Sequence, residues 1–131
     1  MGVNKLFLVD DDYIFRTAAE VLIISEKLTD EVVHFENGLL ALNALTSAID
    51  NSEELPEVLF LDINMPVMNG WELLEALKEV PEVIQNSVRI YILTSSIAPE
   101  DMNLSESYEF IKGYITKPLT IQDIAKIKTD L

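Results

Sequence analysis

Residues able to do oxygen-based chemistry recur in one kind of place along this chain. Asp10-Asp11-Asp12 directly follows the apolar run Leu6 to Val9, and Asp62 follows Val58 to Leu61. Thr94-Ser95-Ser96 follows a run ending at Leu93, and Lys117-Pro118 closes a weaker one around Tyr114-Ile115. Each has an ordinary explanation alone: Asp favours turns, Thr and Ser cap helices, and a lysine before proline is usually solvated. Four such coincidences are harder to dismiss. On a common edge, two carboxylates about 5 Å apart repel by roughly 3 kcal/mol at an effective dielectric near 20. Asp10, Asp11 and Asp62 together would therefore need protons or counter-charges. One divalent cation and the Lys117 ammonium would balance three negative charges. The donors are hard oxygens, cysteine is absent, and the single histidine, His34, lies in another apolar run. That donor set selects Mg²⁺, Mn²⁺ or Ca²⁺ over Zn²⁺. Few protein ligands and retained water suit Mg²⁺ best, with Mn²⁺ an alternative. A carboxylate in such a site can act as a nucleophile toward phosphorus and carry an aspartyl phosphate. Charge on the phosphoryl oxygens would be balanced by the metal and Lys117, with a hydroxyl donated by Thr94.

The elements that must position these groups are legible from the hydrophobic period. Strand-like runs fall at Leu6 to Val9, Val32 to Phe35, Val58 to Leu61 and Val88 to Leu93, with a fifth at Tyr114-Ile115. The first and third lack polar alternation, as expected of strands covered on both faces. Helical stripes lie between them. Ile14, Ala18, Val21, Leu22 and Ser25 mark a first helix, and Leu39, Leu42, Leu45 and Ile49 a second after Asn37-Gly38. Leu73, Leu74, Leu77 and Val80 mark a third, opening after Asn69-Gly70 and stopped by Pro81. A fourth, from about Pro99 to Tyr108, is poorly apolar, so a short, irregular or mobile segment is expected there. The fifth carries Ile121, Ile124, Ile127 and Leu131, with Thr120 as N-cap. Asp12 is read as the N-cap of the first helix and His34 as structural.

Strands alternating with helices five times over predict an α/β fold, a flavodoxin-like doubly wound parallel sheet of five strands in the order 2-1-3-4-5. Ligands bind such sheets beyond the carboxyl ends of the strands, which is where the polar residues fall. The 131 residues suit one domain without an attached output domain. With 9 basic and 23 acidic residues, a net charge of −14 argues against unaided binding to nucleic acid or anionic lipid. No apolar run approaches the roughly 18 residues needed to span a bilayer, and no signal-peptide pattern is present. A cytoplasmic location is expected.

Leu8-Val9-Asp10-Asp11-Asp12, Leu61-Asp62-Ile63-Asn64-Met65-Pro66-Val67-Met68-Asn69-Gly70, Leu93-Thr94-Ser95 and Thr116-Lys117-Pro118 resemble the signature segments of response-regulator receiver domains, including the single-domain chemotaxis regulators. They stand in the family's order, and the likeness covers nearly the whole chain. The resemblance implies that Asp62 is the phosphoacceptor, Asp11 a direct metal ligand, and Asp10 one acting mostly through water. It implies the main-chain carbonyl of Asn64 as a further ligand, Thr94 as the switch hydroxyl, Lys117 as the phosphate-binding ammonium and a cis bond before Pro118. Tyr114 falls on the aromatic position that moves with Thr94 on activation, and Ser96 and the Asn64 side chain on positions that tune the lifetime of the phosphoryl group. The implied donor is a histidine kinase or phosphotransfer protein. The implied listener is a downstream protein docking on the fourth helix, fifth strand and fifth helix. The only catalysis implied is self-phosphorylation and slow autodephosphorylation.

Two other readings compete. Haloacid-dehalogenase-like phosphatases also use an Asp nucleophile with Mg²⁺, but look for a second Asp two residues later, where this chain has Asn64. A receiver-like interaction module that has lost phosphorylation would lack site residues that are all present here.

Overall fold

The computed structural model describes residues 2–80 and 82–131. Five strands, β1 (Leu6–Val9), β2 (Val32–Phe35), β3 (Val58–Leu61), β4 (Arg89–Thr94) and β5 (Ile111–Thr116), form one sheet. Their order is β2-β1-β3-β4-β5 and every pairing is parallel. The helices are α1 (Tyr13–Ser25), α2 (Gly38–Asp50), α3 (Gly70–Leu77), α4 (Glu82–Ser87), α5 (Pro99–Glu106) and α6 (Ile121–Asp130).

Alternation along the central strands divides the core in two. Phe7, Val9, Leu59, Leu61, Ile90 and Ile92 face α2, α3 and α4 through Leu45, Leu73, Leu74, Leu77 and Ile84. Leu6, Leu8, Val58, Phe60, Tyr91 and Leu93 face α1 and α6 through Ala19, Ile23, Ile124 and Ile127. With apolar partners on both faces, β1 and β3 have no position for a solvated side chain, which accounts for their unbroken apolar sequences.

The structure departs from the expectations at several helices. The buried positions of α1 are Arg16, Ala19 and Ile23, whereas Ile14 is 79% exposed and Val21 66%; of the expected stripe only Leu22 packs against the core, and the rest faces solvent. Leu39, Ile121 and Leu131 are likewise exposed, although their helices pack through the neighbouring apolar positions. A sixth helix, α4, stands between α3 and β4 and buries Ile84. At six residues it is too short for a period of 3.6 to declare itself. The third helix ends at Leu77, with Lys78 as its C-cap, and the expected stop at Pro81 lies outside the described residues. The weakly apolar fourth helix is α5, short but regular. Of its residues only Ser105 is buried, while Tyr108 lies beyond it and stacks on Trp71 at 6.1 Å. The caps read from sequence are in place: Asp12 accepts from the Phe15 amide at 3.1 Å, and Thr120 forms a capping box with Asp123.

Candidate functional site

The sheet's hydrogen-bond ladder continues past the strand ends and fixes the backbone of the polar residues. The Asp10 amide donates to Phe35 O at 2.9 Å, the Asp62 amide to Val9 O at 2.9 Å, and the Lys117 amide to Thr94 O at 2.8 Å. Asp10, Asp62 and Lys117 are thereby held on one edge by bonds across the β1–β2, β1–β3 and β4–β5 pairs. Asp10, Asp11 and Asp62 each present a carboxylate oxygen within 4.8 Å of the others. Asp10 and Asp62 are buried; Asp11 faces solvent. Lys117 Nζ lies 2.7 Å from Asp10 Oδ2 and 3.4 Å from Asp62 Oδ2. It also sits 4.3 Å from the centre of the Phe15 ring, whose π face favours a cation. The Lys117-Pro118 peptide is cis.

The two buried carboxylates divide their oxygens in the same way. Asp10 Oδ1 accepts from the Asp12 amide at 2.8 Å, and Asp62 Oδ1 accepts from the Ile63 amide at 2.8 Å. Each Oδ2 is left facing the other and the ammonium. Lys117 meets Asp10 Oδ2 as an ion pair off the hydrogen-bond direction, so that buried oxygen has no hydrogen-bond partner. Buried carboxylate oxygens are rarely left so. A hard cation would satisfy it, so the residues present fit the expected Mg²⁺.

Burial pushes the Asp10 carboxyl above its usual range, and the repulsion of Asp62 adds to this. The Lys117 contact and the Asp12 amide offset only part of it. Burial alone would lower the Lys117 ammonium, but Asp10 and Asp62 outweigh it and raise it. The folded protein therefore holds a proton on Asp10 at pH values where the unfolded chain has released it. Stability contributed by that proton is present at low pH and lost as pH rises from the ordinary carboxylate range through the raised value. Asp10→Asn is expected to melt at a higher temperature than the parent at neutral pH without divalent ions. The gap should close on acidification, and thermal melts across pH check both.

The other expected residues surround this centre. Thr94, fully buried at the end of β4, accepts from the Ser96 amide at 3.3 Å. Ser96 Oγ donates to Asp101 Oδ2 at 2.5 Å, and Tyr114 OH donates to Ser96 O at 2.8 Å. Burial raises the Tyr114 phenol, with Asp101 and Asp62 adding to it and the Ser96 bond opposing. Asn64 is exposed, its amide 3.5 Å from Asp62 Oδ1. His34 makes two side-chain contacts away from the acidic centre, to Arg16 and Glu20. Sequence reasoning missed Phe15 beneath Lys117, Asp101 beside Ser96, and Arg16, which donates to the main-chain oxygen of Asp10. Only Arg16 carried a signal, as a cation in a first helical turn, where the helix dipole disfavours one.

The loop that leaves Asp62 is strained. Val67 has φ of 67° and is bridged by a bond from Met68 N to Pro66 O at 2.8 Å. A β-branched residue in the left-handed region is uncommon, and such strain gathers at functional sites.

Residues 6–128 match the family described as the response regulator receiver domain, and the chain belongs to it. A two-component response regulator from Cytophaga hutchinsonii superposes with a TM-score of 0.90 at 27% identity, covering 99% of this chain and 97% of that one. Sporulation initiation phosphotransferase F of Bacillus subtilis is 31% identical, over 92% of this chain and 87% of its own length. Response regulator Rcp1 of Synechocystis is 26% identical, over 93% of this chain and 82% of its own. The structure of its Mn²⁺-bound form superposes with a TM-score of 0.75 at 22% identity, covering 95% of this chain and 88% of that one. The chain spans only about a third of the protein-glutamate methylesterase/protein-glutamine glutaminase relatives that it also matches, 33% of one and 29% of another.

Proposed function

We propose that this receiver accepts a phosphoryl group on Asp62 and thereby switches its affinity for another protein. One observation carries the reading: Asp62 holds Oδ1 on the Ile63 amide while Oδ2 faces Lys117 at 3.4 Å. The carboxylate is thus oriented by one oxygen and free to attack with the other. Oδ2 would form a bond to phosphorus as the donor's bond breaks, and the leaving group, an imidazole or an acetate, departs on the opposite side. Lys117 would hold a phosphoryl oxygen, and the Thr94 hydroxyl, whose oxygen accepts from the Ser96 amide, would donate its hydrogen to another.

Mg²⁺ held by Asp10, Asp11, Asp62 and the Asn64 carbonyl would supply the remaining positive charge. The all-oxygen donor set and the buried Asp10 Oδ2, which accepts no hydrogen bond, support this, as does the Mn²⁺-bound form of the Rcp1 neighbour. The donor would be a histidine kinase or phosphotransfer protein. Tyr114 links the site to the outer sheet edge through its bond to Ser96, so the proposed listening surface is that of α5, β5 and α6. Among the described residues no helix is long and apolar enough to cross a membrane, and the reading places the protein in the cytoplasm.

The test is direct. With Mg²⁺ and acetyl phosphate, mass spectrometry should find one acid-labile phosphoryl group, and none when the metal is chelated before the donor is added. Trp71, next to Gly70 and stacked on Tyr108, should change its emission in parallel. If neither a small donor nor a panel of histidine kinases labels the protein, the phosphorylation-independent module takes its place.

A further inference from the structure

Arg16 is the only basic residue of α1 and is just 9% exposed. A guanidinium keeps its charge when buried and must give its N–H groups to acceptors. One goes to the main-chain oxygen of Asp10. Nε donates to His34 Nδ1 on β2 at 3.2 Å. His34 Nε2 in turn meets Glu20 Oε1, one turn further along α1. Because arginine can only donate, His34 Nδ1 accepts with its lone pair. The ring proton then sits on Nε2, where the Glu20 carboxylate receives it. Glu20, His34, Arg16 and the Asp10 carbonyl form one chain of bonds joining α1 and β2 to the acidic turn. That carbonyl belongs to the peptide between Asp10 and Asp11, so its direction sets how the two carboxylates project.

We propose that Arg16 is a positioning residue for the metal site. It fixes the Asp10-Asp11 peptide, and His34 and Glu20 fix Arg16. The proposal rests on the reading above, in which Asp10 and Asp11 hold Mg²⁺. Outer partners that orient metal ligands typically change metal affinity by ten- to a hundredfold when removed. Lysine in place of arginine keeps a cation but cannot reproduce the planar fork that serves two acceptors.

Mg²⁺ titrations of the unphosphorylated protein, followed by calorimetry and Trp71 emission, should therefore separate the variants. Arg16→Gln is expected to weaken Mg²⁺ binding about tenfold or more, with Arg16→Lys between it and the parent. His34→Leu should weaken binding by a smaller factor. Melting temperatures without Mg²⁺ are measured alongside. Ile127→Val, a core change on α6 away from the acidic turn, serves as the control for lost stability. Parent-like Mg²⁺ affinity in Arg16→Gln overturns the proposal. So does an Ile127→Val control that loses affinity in proportion to its stability as the Arg16 variants do. A parent that shows no response to Mg²⁺ removes the reading of the acidic site itself, and the positioning role with it.

Discussion

Asp62→Asn is expected to abolish phosphoryl uptake altogether while leaving the fold intact. The amide oxygen of the variant can still accept from the Ile63 amide, so the loop keeps its anchor. What is lost is the anionic Oδ2, the only atom of the pair able to attack phosphorus. Lys117 loses its 3.4 Å partner but keeps Asp10 at 2.7 Å. Stability should not fall, because the substitution removes one of three carboxylates whose oxygens lie within 4.8 Å of one another. At an effective dielectric near 20 each such pair repels by roughly 3 kcal/mol, less where water screens Asp11. The variant should therefore melt no lower than the parent without Mg²⁺, yet show no acid-labile phosphoryl group with any donor. Mass spectrometry and thermal melts on the same samples check both. A labelled Asp62→Asn protein would move the acceptor to a neighbouring side chain and leave phosphorylation itself standing.

Which residues the core can accept decides how much of the fold is legible in the sequence. β1, β2 and β3 have the bounds read from sequence, because each is a run of apolar residues with no polar position to blur its ends. Their carboxyl ends place Asp10 and Asp62 on one edge from the sequence alone. α1 misled for the opposite reason. Tyr13-Ile14-Phe15 and Val21-Leu22-Ile23-Ile24 make it apolar nearly all round, so two stripes compete. Arg16 then marks the wrong side as polar. Its charge lies in the buried face because Asp10 O and His34 Nδ1 satisfy it, and that pairing joins residues from different elements. Phe15 and Asp101 were illegible in the same way. Each matters through one contact, with Lys117 or Ser96, made only once the chain has folded. Tyr108 follows suit: read as the end of a helix, it is a buried platform whose hydroxyl donates to Glu75 at 2.6 Å. Its phenol is pushed up to about 12, first by burial and then by that carboxylate.

Gly70 extends this point, since its sequence context reads as a turn while its structural role is clearance. No glycine among the described residues has positive φ, so Gly70 is not needed for a left-handed backbone. A Cβ on Gly70 would lie 2.5 Å from the main-chain oxygen of Asp62 and 2.8 Å from Ile63 Cα. Both neighbours are backbone and neither can turn aside. The Asp62 amide is tied to Val9 O at 2.9 Å, and the Gly70 amide to Ile63 O at 3.1 Å. Relief would have to come from α3 moving off the end of β3, or from Asp62 moving off the sheet edge. The first opens the packing of Leu73 and Leu74, which are fully buried; the second displaces the acceptor oxygen. Overpacking of this kind costs typically 1–3 kcal/mol, occasionally more. Gly70→Ala is accordingly expected to lose about 2–3 kcal/mol in denaturant unfolding, although alanine is otherwise the better helix former. Where it remains folded, it should take up phosphoryl groups more slowly at saturating Mg²⁺, read from the initial rate of labelling. A variant with parent stability and parent labelling rate would mean that α3 can slide away without cost. The acceptor's position would then depend on the Val9 ladder bond alone, and not on the helix behind it.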